Sequence, residues 1–161
     1  MKSYLRSHFS ILLILIGINL QAQNSNVIRQ AACFDPTIKI QLDSLKKGMA
    51  EQGFFVVKEA SMAMESEYEM PVVVPLTGGT WYHIDFIGDM TSKLYEVRML
   101  DWQEKQVVYQ RHFGQGMESN IIAYSYIPKF SEYHMIKPVQ VNKQKKKNIC
   151  GYIILFKKPV T

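Results

Sequence analysis

Two ionisable residues, His83 and Asp85, lie two positions apart in the segment 80–87. In an extended strand alternate side chains share one face, so both would project the same way. An imidazole beside a carboxylate can form an acid–base pair or part of a metal site. No third ligand follows at a recognisable spacing, and a plain, solvated polar strand face has the same pattern. The pair is therefore a candidate site of a hydrolase or metal-dependent enzyme, and the plain polar face is the interpretation that the pattern favours.

The segment 143–148 holds the densest charge cluster of the chain, formed by Lys143, Lys145, Lys146 and Lys147. It separates two predicted strands, so we expect an exposed loop. Such a loop could contact an anionic surface, such as lipid phosphates, an acidic glycan or an acidic protein. Alternatively, the lysines only prevent strand edges from pairing with other chains. Lysine without arginine or interleaved aromatic residues does not favour nucleic acid as a partner.

Three carboxylates alternate in the acidic run Glu65, Glu67 and Glu69. Calcium prefers several oxygen ligands, so this run is a possible calcium loop. A solvated acidic loop is the other interpretation, and the one that the pattern favours.

The glycine-rich segment 114–119 superficially resembles a phosphate-binding loop. Such a loop needs a helix N-terminus directly after it, whereas residues 120–127 have a strand pattern. A hairpin turn is the better interpretation. The GxSxG, HExxH and Walker motifs are absent from the sequence. We therefore predict no catalytic residue and no cofactor from motifs.

Trp102 lies in a predicted turn, and it is the aromatic residue that we expect to be exposed. Sugar-binding sandwiches present exposed aromatic rings to their ligands, so a glycan is one expected partner. Most other aromatic residues alternate with apolar neighbours, as core residues do.

The formal charge of +5 is unevenly distributed over the 161 residues. Residues 1–22 carry two cations and no acidic residue. Residues 23–132 carry ten cations and fourteen acidic residues, whereas residues 133–161 carry seven lysines and no acidic residue. The basic character is therefore a property of the C-terminal end, and the rest of the chain is net acidic.

Residues 1–22 have the pattern of a cleaved signal peptide, with Lys2 and Arg6 before an apolar run over 11–18. That run is shorter than the ~20 residues that a membrane-spanning helix needs. We predict no transmembrane segment after cleavage, a flexible leader over 23–34, and a periplasmic or secreted protein.

One amphipathic helix is predicted over 36–52. Asp35 is a good N-cap and the following proline suits the first turn, while Gly53 suits the residue after the helix. One apolar stripe recurs at helical spacing, formed by Ile38, Leu42, Leu45 and Met49.

After Gly53 the sequence alternates in the manner of β-strands. About eight strands are predicted, at 54–60, 70–76, 80–87, 94–100, 106–113, 119–127, 133–141 and 149–158. This rhythm indicates a single all-β domain over 35–161, an antiparallel jelly-roll-like sandwich. The predicted core includes Tyr82, Ile84, Phe86, Val97, Met99, Ile153 and Leu155.

The chain has two cysteines, Cys33 and Cys150. An even pair in an exported chain usually oxidises, so we predict a disulfide that joins the start of the helix to the last strand. A reactive thiol is the alternative, but no CxxC motif supports it.

Residues 72–108 contain an apolar strand, a glycine turn, an aromatic-rich strand ending in Gly-Asp, and a strand that ends before a tight turn. This segment and the closing Gly-Tyr strand at 148–158 resemble bacterial pre-peptidase C-terminal-like β-sandwiches. The signal peptide resembles those of exported proteins of Bacteroidota. The resemblance implies a non-catalytic jelly-roll module, although, unlike in that family, we expect no attached peptidase.

The sequence therefore favours an exported, non-catalytic binding or structural accessory protein of the cell envelope. Its expected partner is another envelope protein or a glycan, with Trp102 and the lysine-rich segment 143–148 as candidate contact residues. The competing hypothesis is an enzyme with a site around His83 and Asp85.

Overall fold

The computed structural model describes residues 31–114 and 120–159. The predicted signal peptide, most of the predicted leader and residues 115–119 of the glycine-rich segment lie outside the described residues. The elements are helix α1 (Pro36–Glu51) and strands β1 (Phe55–Met64), β2 (Val72–Leu76), β3 (Tyr82–Gly88), β4 (Ser92–Leu100), β5 (Gln106–Phe113), β6 (Ile121–Tyr126), β7 (Glu132–Asn142) and β8 (Ile149–Lys157).

The eight strands form two four-stranded sheets. The first sheet has the order β1-β8-β3-β6 and the second has the order β2-β7-β4-β5. Every neighbouring pair is antiparallel. Consecutive strands cross between the sheets, except that β4 and β5 are neighbours in the second sheet, which is the strand order of a jelly roll. The prediction of an all-β antiparallel sandwich of about eight strands with one helix is confirmed for the described residues.

Helix α1 begins where the capping residues place it. One carboxylate oxygen of Asp35 accepts the backbone N–H groups of Thr37 at 2.8 Å and Ile38 at 3.1 Å. The helix ends before Gly53, which has a φ of 81°, a left-handed backbone conformation that glycine adopts without steric strain. The predicted range was one residue longer at its C-terminal end.

Two apolar layers hold the molecule together. The larger lies between the sheets and contains all seven residues that the sequence analysis placed in the core. The smaller lies between α1 and the outer face of the first sheet, formed by Ile38, Leu42, Met49, Phe54, Ile87, Ile154 and Phe156. The outer face of this sheet is therefore partly covered, which decides the environment of the polar residues on β3.

The predicted Cys33–Cys150 disulfide is present, with Cα atoms 5.7 Å apart, and it joins the segment before α1 to β8. Hydrogen bonds to β1 continue this attachment. Ser61 Oγ accepts the Cys33 N–H and donates to the Cys33 carbonyl, both at 3.0 Å, and Ala63 N–H donates to the Ala31 carbonyl. The end of the predicted leader is thus held against the first sheet.

Within the described parts of the chain, no helix combines the length and apolar character that crossing a membrane requires.

Candidate functional site

The loops β4–β5 and β6–β7 meet at one end of the sandwich and expose three aromatic rings. We call Trp102, Phe130 and Tyr133 the aromatic end; their exposed fractions are 70%, 72% and 54%. The Trp102 and Tyr133 rings lie side by side, with centroids 6.1 Å apart and planes 47° apart. The expectation that Trp102 is exposed is therefore confirmed, and the structure adds a partner ring from β7.

The Trp102 ring is presented by a tight turn. One carboxylate oxygen of Asp101 accepts the N–H groups of Gln103 and Lys105, both at 2.9 Å. The Asp101 N–H in turn donates to the Lys105 carbonyl at 3.0 Å, and Glu104 adopts a φ of 60°. These hydrogen bonds lie within the turn and fix the backbone on both sides of Trp102. The Trp102 side chain is therefore held in an exposed position by the turn itself.

A cleft of about 490 Å³ opens between the same two loops, and of the three rings Phe130 lines it, while Trp102 and Tyr133 adjoin lining residues along the chain. Its walls combine apolar groups with carboxylates, ammonium groups and amides, contributed by Asp101, Gln103, Lys105, Gln106, Val107, Tyr126, Ile127, Lys129, Phe130 and Glu132. The two lysines balance the two carboxylates. A ligand with hydroxyl groups and no net charge suits such a lining, because each polar group can donate or accept while no charge is left uncompensated.

A small polar network lies behind the cleft. The Tyr126 hydroxyl is 3.2 Å from His134 Nε2, and Glu132 Oε1 is 3.7 Å from the same nitrogen. Burial raises the pKa of Tyr126, and the negative charges of Glu132 and Asp101 raise it further. Tyr126 therefore stays a neutral hydroxyl that can donate or accept. The sequence analysis missed this network because Tyr126 lies on β6 whereas His134 and Glu132 lie on β7.

The lysine-rich segment forms the loop between β7 and β8, and all four of its lysines are exposed, as predicted. It lies at the opposite end of β7 from Trp102, at a distance of about 34 Å for eleven extended residues. The loop is packed against the acidic run, because Ser66 N–H donates to the Lys146 carbonyl and Lys145 Nζ is 4.0 Å from Glu67. The two sets of candidate contact residues are therefore separate surfaces, and an anionic contact of the loop stays a prediction.

The acidic run is partly neutralised by bases from the second sheet. Glu69 forms an ion pair with Arg98, and its other carboxylate oxygen is 2.8 Å from Lys137 Nζ. Among residues 31–114 and 120–159, no group of three or more acidic, histidine or cysteine side chains is arranged to hold a metal ion. Glu69 therefore serves to anchor the run to β4 and β7.

This ion pair gives the protein a pH-dependent contribution to its stability. The hydrogen bond from Lys137 lowers the pKa of Glu69, partial burial opposes the shift, and the Arg98 charge lowers the pKa further. Because the pKa of Glu69 is lower in the folded than in the unfolded protein, its ionised form stabilises the fold at any pH above the unfolded-state pKa. This contribution is lost as the pH falls through the folded-state pKa. We expect Glu69→Gln to reduce the loss of stability between pH 6 and pH 3.

Urea unfolding at several pH values measures this effect. Glu65→Gln is a matched control, because Glu65 belongs to the same acidic run and forms no ion pair with another described residue. An identical profile for wild type and Glu69→Gln would show that the pair contributes nothing.

His83 and Asp85 do share one face of β3, but that face is not the solvated surface that the favoured interpretation expected. Asp85 is fully buried and the His83 side chain is 21% exposed, because α1 and its neighbours pack over this part of the first sheet. His83 Nε2 lies 3.0 Å from Asp85 Oδ1. The structure also adds Ser125, whose Oγ is 3.1 Å from His83 Nδ1 and which the sequence analysis did not single out.

No model of a protein family matches the chain, and no curated protein matches it. Among solved structures, the chain is similar to the VP2 subviral particle of infectious bursal disease virus, with 8% identity and a TM-score of 0.35. The similarity covers 64% of this chain, which spans about a third (32%) of the viral chain's length.

Proposed function

We propose that the protein is an exported binding protein of the cell envelope whose aromatic end engages a neutral glycan. The observation that carries this proposal is the pair of exposed rings, Trp102 and Tyr133, beside a cleft lined with charge-balanced polar groups. A sugar ring has an apolar C–H face and a rim of hydroxyl groups. The aromatic rings would stack against the C–H face of the sugar, and the carboxylates and amides of the cleft would form hydrogen bonds with its hydroxyl groups.

The shape of the aromatic end suits binding rather than chemistry. Its two rings are tilted by 47°, so they can follow successive sugars of a twisted chain instead of a single flat ring. Rigid aromatic side chains lose little conformational entropy on binding, which makes them effective contact residues. The site is therefore proposed as non-catalytic.

Export is part of the proposal and is supported by two independent features. Residues 1–22 have a signal-peptide pattern, and Cys33 and Cys150 are joined in a disulfide. Disulfides persist mainly in oxidising compartments outside the cytosol. A periplasmic or secreted location, and a relationship to pre-peptidase C-terminal-like modules, follow as proposals consistent with the sandwich.

Trp102→Ala is the variant that tests glycan binding. We expect at least a tenfold weaker binding of the recognised polysaccharide, equivalent to about 1.4 kcal/mol, because one stacking platform is lost. Affinity electrophoresis in gels containing neutral polysaccharides, followed by calorimetry with the oligosaccharide of the best one, measures the change.

Phe113→Ala is the matched control, since Phe113 is also exposed, at 65%, but lies near the opposite end of the sandwich on β5. It should bind like wild type. Equal binding by wild type and Trp102→Ala, or no retention on any neutral polysaccharide, would reject the proposal and leave an envelope protein as the expected partner.

A further inference from the structure

Two neighbouring strands of the first sheet place a serine, a histidine and an aspartate in contact. His83 on β3 is directly opposite Ser125 on β6, and Asp85 follows His83 on the same face. The imidazole bridges the other two side chains, with 3.1 Å from Nδ1 to Ser125 Oγ and 3.0 Å from Nε2 to Asp85 Oδ1. Each ring nitrogen therefore has one partner.

The partners decide which nitrogen carries the proton. Because a carboxylate can only accept, the proposed site takes the tautomer whose proton is on Nε2, the nitrogen 3.0 Å from Asp85 Oδ1. His83 Nδ1 then has a free lone pair, and Ser125 can donate its hydroxyl proton to it. The three residue types are those of a nucleophile, a general base and a carboxylate that orients the base, although the 3.0 Å contact of His83 Nε2 with Asp85 does not itself have hydrogen-bond geometry.

Asp85 lies in an unusual environment for a structural residue. It has no exposed area, and neither carboxylate oxygen has a hydrogen bond with good geometry in the described part of the chain. Burying a carboxylate in this way is costly, and His83 is the polar side chain that lies against it. A polar group placed here only for stability would be expected to have its hydrogen bonds satisfied.

Substrate could reach the serine, because β6 is an edge strand and the contacts of α1 with β6 are at Ile121, at its other end. Ser125 and Ala123 are exposed. A groove of about 650 Å³ between α1 and the start of β6 has an apolar lining that includes Ile40, Leu45, Met90 and Ile121. Ile121 is about 13 Å from Ser125 along one face of β6.

We propose that Ser125 is the nucleophile of an esterase site for carboxylic esters with an apolar acyl chain, with His83 as the general base and Asp85 as its orienting carboxylate. Ser125 Oγ bonds to the ester carbonyl carbon while its proton moves to His83 Nδ1. The C–O bond to the alcohol then breaks, and the alcohol leaves with that proton. Water attacks the acyl-serine, His83 takes and returns its proton, and the carboxylic acid leaves.

The apolar groove accounts for the acyl part of the substrate. A chain bound along β6 towards Ile121 would place its carbonyl end near Ser125. This site is independent of the aromatic end, so either proposal can fail without the other.

The full chain, treated with a fluorophosphonate probe, tests the nucleophile directly. Peptide mass analysis should find the probe on Ser125, and Ser125→Ala should lose the label completely. Ser131→Ala is the control, because Ser131 is also exposed but has Gly78 N–H, not an imidazole, at its hydroxyl. Labelling of the control should equal that of wild type.

His83→Gln should slow labelling and the hydrolysis of p-nitrophenyl butyrate by about 100-fold or more, the usual contribution of a general base. Circular dichroism checks that the variant is folded. Ile40→Ser, in the groove proposed for the acyl chain, should raise KM for p-nitrophenyl laurate more than KM for p-nitrophenyl butyrate, because only the longer acyl chain extends from Ser125 to the groove.

The wild-type chain decides the proposal even if His83→Gln does not fold. Absence of label on Ser125 in the folded wild-type chain would overturn it. Labelling of folded His83→Gln at the wild-type rate would also overturn the proposal, because the reactivity of the Ser125 hydroxyl would then not depend on the imidazole.

Discussion

Replacing both Cys33 and Cys150 with serine is expected to lower the free energy of unfolding by about 4 kcal/mol. The bond joins residues 117 positions apart, so its loss frees most of the described chain in the unfolded state. The bond also attaches the segment before α1 to β8, and without it the segment depends on its hydrogen bonds to β1. The melting temperature should fall by on the order of 10 °C.

Urea unfolding of the oxidised protein, the reduced protein and the double variant measures this effect. Reduction of the wild type and substitution of both cysteines should give the same midpoint, since each removes only the covalent link. Ser61→Ala removes hydrogen bonds of the same segment and leaves the disulfide in place, so it should cost about 1 kcal/mol. Equal midpoints for the oxidised and reduced protein would contradict the prediction.

Phe86→Ala is expected to destabilise the protein by about 3–5 kcal/mol. Phe86 has no exposed area and lies on the inner face of β3, between the two sheets. Its ring fills the space beside Gly151, where a Cβ atom would come within 3.1 Å of it. Removal of the ring leaves a cavity that the paired strands on either side of β3 cannot close.

Phe130→Ala makes the same chemical change at a ring that is 72% exposed. Its cost should stay within about 0.5 kcal/mol, so the pair isolates the effect of burial. Both are measured by chemical denaturation with a common m-value. A cost below about 1 kcal/mol for Phe86→Ala would mean that the inter-sheet layer does not carry the stability of the fold.

Most of the secondary structure could be predicted because its signals are local. The N-cap Asp35 and the glycine at 53 bracket α1, and the apolar stripe between them has helical spacing. The predicted strand 106–113 matches β5 at both ends, and the others differ by a few residues. With two cysteines in the chain, one intramolecular disulfide is possible, and the structure contains it.

The environment of the candidate residues could not be predicted in the same way. Alternation along β3 shows that His83 and Asp85 share a face, but it does not show whether α1 packs on that face. The sequence pattern therefore indicated a solvated polar face or a functional pair, and it showed no sign that the pair is buried. Burial of Asp85 is a consequence of α1 docking on the first sheet rather than between the sheets.

The contacts that the candidate residues make with other strands could not be predicted from the sequence either. Ser125 meets His83 because β6 pairs with β3 in a register that joins residues 42 positions apart. Tyr133 comes to Trp102 in the same manner, because β7 lies beside β4 in the second sheet.

The sequence by itself determined the class of this protein: an all-β chain with one capped helix, a disulfide and an exposed tryptophan turn. These properties depend on neighbours along the chain or on a single possible pairing. The tertiary structure alone decided which polar groups meet, because the jelly-roll order places strands distant in sequence side by side. Contacts such as Ser125–His83 and Trp102–Tyr133 arise from that register, and periodicity within one strand carries no information about it.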